Sequence, residues 1–225
     1  MLVDTLRNAY YRLPQGLQRM VLVKRRQPIW LKAGILFIHI PKAAGTSVNE
    51  ALYGRFMGHV RASDIQRWGS ARLRALPSFA VTRNPWDRLV SAYRFAKAGH
   101  GVGGAIQAGV WKPEQYRVAA FETFDLFVTR WLAKRDLARL DGIFQPQCLF
   151  VCDDAGKPLV DHVGRIENFQ PTLDFIADVI GNVPDVRQAN RSGANVDYRD
   201  FYSPKLVKQV GEMYRRDIEI FGYEF

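Results

Sequence analysis

Short, continuous hydrophobic runs alternate along this chain with longer segments of helical periodicity. Two of the runs, residues 35–40 and 78–82, are rich in β-branched and aromatic residues and lack the polar alternation of a half-exposed strand. Such runs are typical of strands that are covered on both faces, as in a parallel sheet. Residues 148–152 and 162–166 are two further strand candidates. The pattern predicts an α/β fold with a mostly parallel central sheet.

Helix signals follow each of the first two strands. Pro41 ends the first strand, and Ser47 and Glu50 then have the spacing of a capping box, which predicts a helix that continues past residue 50. Asn84 can cap the second helix, with Pro85 at its first position, and this helix should extend to about residue 98. Each strand is therefore expected to run through a tight loop into a helix.

The second half of the chain predicts more helices and an aromatic part of the core. Hydrophobic side chains at helical spacing between residues 121 and 132 are expected to be buried. Two long helices are predicted at 171–180, ended by Gly181, and at 204–217. Cys148 and Cys152, placed in a strand, would lie roughly 13 Å apart, beyond disulfide reach, and are expected to be buried thiols.

The loop after the first strand, HIPKAAGTS (39–47), combines groups that bind an anion. The first turn of a helix has unpaired N–H groups and a partial positive charge. Lys42 adds a full charge, Gly45 allows close approach of the backbone, and Thr46 and Ser47 supply hydroxyl donors. The loop therefore predicts a phosphate or sulfate site.

The second strand leads into a similar arrangement, VTRNPWDRLVSAY (81–93). Arg83 stands at the carboxyl end of the strand, where ligands of open α/β sheets bind, and can grip a phosphate with two donors. Ser91 lies two turns into the following helix, while Arg88 is expected to be a structural partner of Asp87 or another acid. Two anion sites on neighbouring strand ends predict one ligand with two separated anionic groups.

Composition adds an excess of positive charge. The 225 residues fit one domain, and a net charge of +10 indicates a polyanionic partner such as nucleic acid, an acidic polysaccharide, an anionic membrane or a phosphorylated small molecule. Residues 1–34 are expected to form a basic arm on or beside a main domain at 35–225, able to contact a membrane surface. A second basic cluster follows the first helix and consists of Arg55, Arg61, Arg67, Arg72 and Arg74.

No apolar run reaches the ~20 residues of a membrane-spanning helix, and the first residues lack the hydrophobic region of a signal peptide. The expected location is the cytoplasm, including the inner face of the membrane.

The two strand-end motifs, in this order, resemble the 5′-phosphosulfate loop and the 3′-phosphate motif of sulfotransferases that use 3′-phosphoadenosine 5′-phosphosulfate (PAPS), especially the carbohydrate-sulfating branch. The similarity continues in FQPQ (144–147), in VGRIENF (163–169) and from NRSG (190–193) to the end of the chain. It implies a three-layer α/β/α fold related to nucleotide kinases. It also implies transfer of a sulfuryl group from PAPS to a carbohydrate hydroxyl. No metal is expected, since a sulfuryl group carries less charge than a phosphoryl group.

The resemblance further implies roles for individual residues. The 5′-phosphosulfate would be bound by Lys42, Ala44, Gly45, Thr46 and Ser47, with Lys42 at the oxygen that bridges phosphate and sulfate. The 3′-phosphate would be bound by Arg83, Ser91, Arg191 and Ser192.

Transfer to a hydroxyl also requires a proton acceptor, and histidine is the side chain best suited to this near neutral pH. His59, just past the first helix, resembles the position of a histidine in related enzymes and is the predicted base. His100, in a glycine-rich loop, is the next candidate. His39 and His162 fall in predicted strands and are expected to be structural, and Glu50 is a carboxylate alternative.

Two other functions stay open at this level. A nucleotide kinase is one, with Asp153 after an apolar strand as a magnesium-supporting acid, although the loop is not the G-x-x-x-x-G-K-[ST] of kinases. A basic nucleic-acid-binding protein is the other, although no helix-turn-helix, zinc or RNA-binding signature is present. If the chain is a sulfotransferase, the basic residues beyond His59 would attract an acidic carbohydrate acceptor.

Overall fold

Three parallel strands form the sheet of the region that the computed structural model describes, residues 13–99, 109, 110, 112–182, 186 and 197–225. They are β1 (Leu36–Ile38), β2 (Ser78–Thr82) and β3 (His162–Arg165), with β2 in the centre. Phe37 lies opposite Phe79, and Val81 lies opposite Gly164. The predicted parallel sheet is confirmed, and β1 is shorter than the hydrophobic run that predicted it.

Helices connect the strands and cover both faces of the sheet. They are α1 (Gln15–Ala33), α2 (Gly45–Tyr53), α3 (Ala62–Trp68), α4 (Ala71–Arg74), α5 (Pro85–Ala98), α6 (Phe124–Leu126), α7 (Cys148–Val151), α8 (Gln170–Ile180), α9 (Pro204–Met213) and α10 (Arg215–Phe221). The predicted helix after Asn84 is confirmed, since the Asn84 side chain accepts a hydrogen bond from the Trp86 N–H. Gly181 ends α8 in the left-handed conformation, as predicted.

Successive strand residues point to opposite layers. One face of the sheet packs on α1, α3 and α7, and its buried residues include Leu36, Ile38, Ala80, Val23, Trp30, Ile65 and Val151. The other face packs on α2 and α8, with Phe37, Phe79, Val81, Val48 and Ile176. Because helices flank both faces, the domain has the three-layer α/β/α architecture.

A third hydrophobic cluster lies beside the sheet and is largely aromatic. The side chains predicted to be buried between residues 121 and 132 belong to it, together with Trp86 of α5 and Tyr214. Their backbone is less regular than predicted, because α6 continues into a π-helical turn (Phe127–Trp131) and a 3₁₀ turn (Leu132–Lys134). The cluster connects α5 with α9.

The α1 helix carries most of the described part of the predicted basic arm, and it packs on the sheet. Val23 and Trp30 are fully buried against β1 and α3, whereas Leu17 and Val21 are exposed. The boundary at residue 34 stays a prediction. Within the described residues, no helix combines the length and hydrophobicity needed to cross a membrane.

Two predictions for the second half of the chain are wrong. Residues 148–151 form the short helix α7 instead of a strand, because the buried carboxylate of Asp217 accepts hydrogen bonds from the N–H groups of Gln147 and Cys148, at 2.7 and 2.9 Å. The predicted helix at 204–217 is divided into α9 and α10 at Tyr214, whose hydroxyl donates to the Phe144 carbonyl at 2.7 Å. Cys148 and Cys152 are buried free thiols, as predicted.

The burial of α1 generates a stability prediction. Trp30→Ala should lower the free energy of unfolding by about 3–5 kcal/mol, since it removes a large side chain that is 0% exposed. Leu17→Ala, in the same helix at a position that is 44% exposed, should cost less than about 1 kcal/mol. Urea denaturation measures both values, and a similarly small loss in both variants would contradict the packing of α1.

Candidate functional site

The loop between β1 and α2 has an unusual backbone. Lys42 and Ala44 have positive φ angles of 69° and 56°, a conformation that costs energy in residues with a Cβ atom. Two arginines from the β2–α5 region hold the loop: Arg88 donates to the Pro41 carbonyl at 2.8 Å, and Arg83 donates to the Lys42 carbonyl at 3.3 Å. The loop is thus fixed in shape by two side chains from the motif at residues 81–93.

The α2 helix begins at Gly45, and its N-cap lies three residues before the Ser47 that the sequence predicts as the cap. Ala44 occupies the N-cap position, and no side chain caps the helix, so the predicted capping box of Ser47 and Glu50 is wrong. Thr46 and Ser47 instead lie in the first turn. The Ser47 hydroxyl is buried and has no hydrogen-bond partner in the described part of the chain. An uncapped helix N-terminus with an unpaired hydroxyl fits a bound anion.

Gly45 is required because the ring of His39 occupies the space of a side chain. A Cβ atom at Gly45 would lie 1.8 Å from His39 Cδ2. Asn49 holds this contact in place, because its Nδ2 donates to His39 Nδ1 at 3.0 Å and to the Gly45 carbonyl at 2.8 Å. Sequence analysis missed Asn49, although an amide four residues after the glycine, on the buried side of a helix, was a usable signal.

Lys42 lies among cations. Its Nζ is 4.0 Å from the ring centroid of Phe95 on α5. Burial, followed by the charges of Arg83 and Arg88, lowers the pKa of Lys42 to about 8. Since neighbouring positive charges disfavour its protonated form, an anion bound in the loop would stabilise that form and raise the pKa again.

His59 lies next to this loop and has a defined tautomer. Its Nδ1 is 3.1 Å from the His39 carbonyl oxygen, which can only accept, so Nδ1 carries the proton and Nε2 keeps a free lone pair. The His39 and His59 ring centroids are 4.3 Å apart. Desolvation lowers the pKa of His59, an effect that the His39 carbonyl opposes and that Arg88 and Lys42 reinforce. His59 is nevertheless exposed to water, which limits the size of this decrease.

Arg83 is close to the Lys42 loop but is already paired. Its Nε and Nη2 donate to the two Asp87 oxygens at 2.7 and 2.8 Å. Arg88 does not pair with Asp87: it is buried and donates to the carbonyls of Pro41, Gly142 and Gln145, which corrects the predicted acid partner. The Arg83 guanidinium retains N–H donors that Asp87 does not use.

The other residues that the sequence suggested for binding or catalysis lie outside the loop between β1 and α2. Ser91 is partly buried on α5, and Glu50 is exposed on α2. His162 of β3 packs on Phe175 of α8, which agrees with a structural role. Three predicted residues, His100, Arg191 and Ser192, lie outside the described residues. Within the described ranges, no group of three or more histidine, cysteine or acidic residues could hold a metal, and the metal-free reaction stays a prediction.

Comparison with known proteins agrees with this arrangement. The model of the Sulfotransferase family matches residues 31–224. The chain therefore belongs to the sulfotransferase family, and its activity is that of a transferase. No curated protein and no solved structure gave a match.

The contact between Gly45 and His39 generates a second prediction. Gly45→Ala should destabilise the protein by about 1–3 kcal/mol, because the new methyl group overlaps the imidazole and the strained loop cannot move aside. Gly16→Ala is the matched control, since a Cβ atom there meets no atom within 4 Å, and alanine in α1 should be neutral or stabilising by up to ~1 kcal/mol. Urea unfolding compares the two, and equal stabilities would contradict the contact.

Proposed function

We propose that the protein is an O-sulfotransferase that moves the sulfuryl group of PAPS to a carbohydrate hydroxyl and releases 3′,5′-ADP. The observation that carries this proposal is the anion site at the N-terminus of α2, where the buried Ser47 hydroxyl is unpaired and Lys42 lies among cations. Arg83, which contacts the same loop, would provide the second anion site. Membership of the sulfotransferase family supports the choice of a sulfate donor.

Each residue of the site has a specific task in this reaction. The N–H groups of the first turn of α2 and the hydroxyls of Thr46 and Ser47 bind the phosphosulfate. Lys42 stabilises the negative charge that develops on the phosphate oxygen as its bond to sulfur breaks. The acceptor oxygen forms the new bond to sulfur, and its proton passes to Nε2 of His59, which is the nitrogen with the free lone pair.

The kinase alternative loses its structural basis. Asp153 does not end a strand: it follows α7, and its carboxylate accepts a hydrogen bond from the Lys157 N–H at 2.8 Å. A magnesium-supporting acid at a strand end is therefore missing from this part of the described chain. Transfer of labelled sulfate from PAPS to a panel of polysaccharides and glycolipids, in excess EDTA, tests the proposal directly. The proposal would be refuted if no acceptor in the panel received labelled sulfate.

The two-anion site predicts nucleotide selectivity. At about a hundred times its dissociation constant, 3′,5′-ADP should stabilise the protein by roughly 2.7 kcal/mol. At the same concentration 5′-ADP should stabilise it much less, because Arg83 and Ser91 then have no phosphate to bind. Thermal shifts measure the difference, which Arg83→Gln should reduce. Equal shifts with both nucleotides in the wild-type protein would contradict the assignment of Arg83.

The pKa values of the site predict a bell-shaped dependence of kcat/KM on pH. As the pH falls through the lowered pKa of His59, the imidazole becomes protonated and cannot accept the acceptor proton; above about pH 8, Lys42 loses its charge. Lys42→Arg should remove the fall at high pH, because a guanidinium stays charged. His59→Asn should reduce kcat by ~10²-fold or more with unchanged 3′,5′-ADP affinity. A profile of Lys42→Arg that still falls near pH 8 would assign that limb to another group.

A further inference from the structure

The imidazole of His39 carries its proton on a different nitrogen from that of His59. The amide Nδ2 of Asn49 donates to the Gly45 carbonyl at 2.8 Å, and this contact identifies Nδ2 as the NH₂ group, because a carbonyl can only accept. The same Nδ2 lies 3.0 Å from His39 Nδ1, which therefore accepts its second N–H. His39 thus has its own proton on Nε2, whereas His59 has it on Nδ1.

The Nε2–H of His39 lies at the first residue of α2. Nε2 is 2.2 Å from the position that a Cβ atom of Gly45 would take, and no side chain caps this helix. His39 is only 4% exposed, and among the described residues its imidazole has a hydrogen bond at Nδ1 but none at Nε2. The buried Ser47 hydroxyl, in the same turn, is unpaired as well. Buried polar groups normally have partners, so both are expected to bind oxygens of a ligand.

Neighbouring side chains hold the His39 ring in one orientation and keep it neutral. Phe37 stacks on it with ring centroids 5.8 Å apart, and Phe56 packs edge-on at 5.5 Å. Burial, followed by the charges of His59 and Lys42, lowers the pKa of His39 well below its ordinary value. Near neutral pH the ring is therefore a neutral donor of fixed direction, which needs little reorganisation when a ligand binds.

The place of His39 in the site indicates which part of the ligand it contacts. The edge of the ring that carries Nε2 faces Gly45, at the end of the site that would bind the phosphosulfate. The ring centroid is also 4.3 Å from that of His59, the proposed base for the acceptor hydroxyl. During the transfer, sulfur lies between the phosphate oxygen and the acceptor oxygen. A donor located between the start of α2 and the base therefore fits the oxygens of the sulfuryl group.

We propose that His39 is a further catalytic residue, whose Nε2–H donates a hydrogen bond to a nonbridging oxygen of the transferred sulfuryl group. The inference rests on the proposed function and assigns a second histidine to the same reaction. No proton moves at His39: Nε2 keeps its hydrogen while the bond from sulfur to the phosphate oxygen breaks and the bond to the acceptor oxygen forms. The acceptor proton passes to His59, so one histidine orients the sulfuryl group and the other accepts the proton.

The test uses two substitutions that keep different parts of the imidazole. Glutamine places its amide near the position of Nε2, whereas asparagine places its amide near that of Nδ1. Titration calorimetry measures the affinities for PAPS and for 3′,5′-ADP, which lacks the sulfuryl group. We expect His39→Asn to weaken PAPS binding by ~10-fold and 3′,5′-ADP binding by less than ~2-fold, and His39→Gln to restore most of the PAPS affinity. His162→Asn, in the ring stack with Phe175, is the matched control and should leave both affinities unchanged.

Nitrogen NMR of the wild-type protein with isotope-labelled histidine measures the tautomers directly. Near neutral pH we expect the proton of His39 on Nε2 and that of His59 on Nδ1. PAPS should shift the Nε2 resonance of His39 more than 3′,5′-ADP does. This measurement needs no variant, so it decides the question even if His39→Asn does not fold.

The outcomes separate this inference from the proposed function. A proton on Nδ1 of His39, equal Nε2 shifts with both nucleotides, or equal losses of PAPS and 3′,5′-ADP affinity in His39→Asn would each overturn the role of His39, even if sulfate is transferred to a carbohydrate. A selective loss of PAPS affinity in His39→Asn, without transfer to any carbohydrate, would support the contact with the sulfuryl group and refute the proposed acceptor. A wild-type protein that does not bind PAPS would overturn both.

Discussion

The buried guanidinium of Arg88 is the interaction on which the geometry of the site depends. A charge that is removed from water is tolerated only when its donors are satisfied, and Arg88 donates to three carbonyls, those of Pro41, Gly142 and Gln145. These carbonyls belong to the anion loop and to the segment before α7, which are far apart in sequence. One side chain of α5 therefore holds together two segments with little regular structure of their own.

The C-terminal helices extend this polar framework. Asp217 of α10 holds the N–H groups at the start of α7, and Gln147 in turn bonds to both the N–H and the carbonyl of Arg83, at 2.9 and 2.8 Å. The hydroxyl of Tyr214 fixes the carbonyl of Phe144. Arg83 is thus held by a residue that comes 64 positions later in the chain, and that residue is held in turn by Asp217 of α10. Substitutions in the C-terminal helices should therefore displace Arg83, although the substituted residues do not contact a ligand themselves.

Local signals in the sequence were sufficient for the three strands that form, for most helices and for the position of the loop between β1 and α2. The runs 78–82 and 162–166 and the cap at Asn84 depend on neighbouring residues, and they were predicted correctly. The errors at 148–152, at Tyr214 and at Arg88 share a cause, because each depends on a polar contact between distant segments. The start of α2 was misplaced for a different reason. Lys42 and Ala44 have positive φ angles, a conformation that a sequence indicates only where it has glycine or asparagine.

The contact between His39 and Gly45 makes two positions of the chain share one volume. The imidazole fills the space that a side chain at position 45 would need, and Asn49 holds both partners through the same amide group. Evolution can therefore enlarge position 45 only together with a smaller residue at position 39. Because the carbonyl of residue 39 also contacts Nδ1 of His59, such an exchange would leave this backbone acceptor in place while removing the imidazole that packs against the His59 ring. The shape of the loop at residues 41–44 and the packing around His59 are therefore linked through the sizes of two side chains.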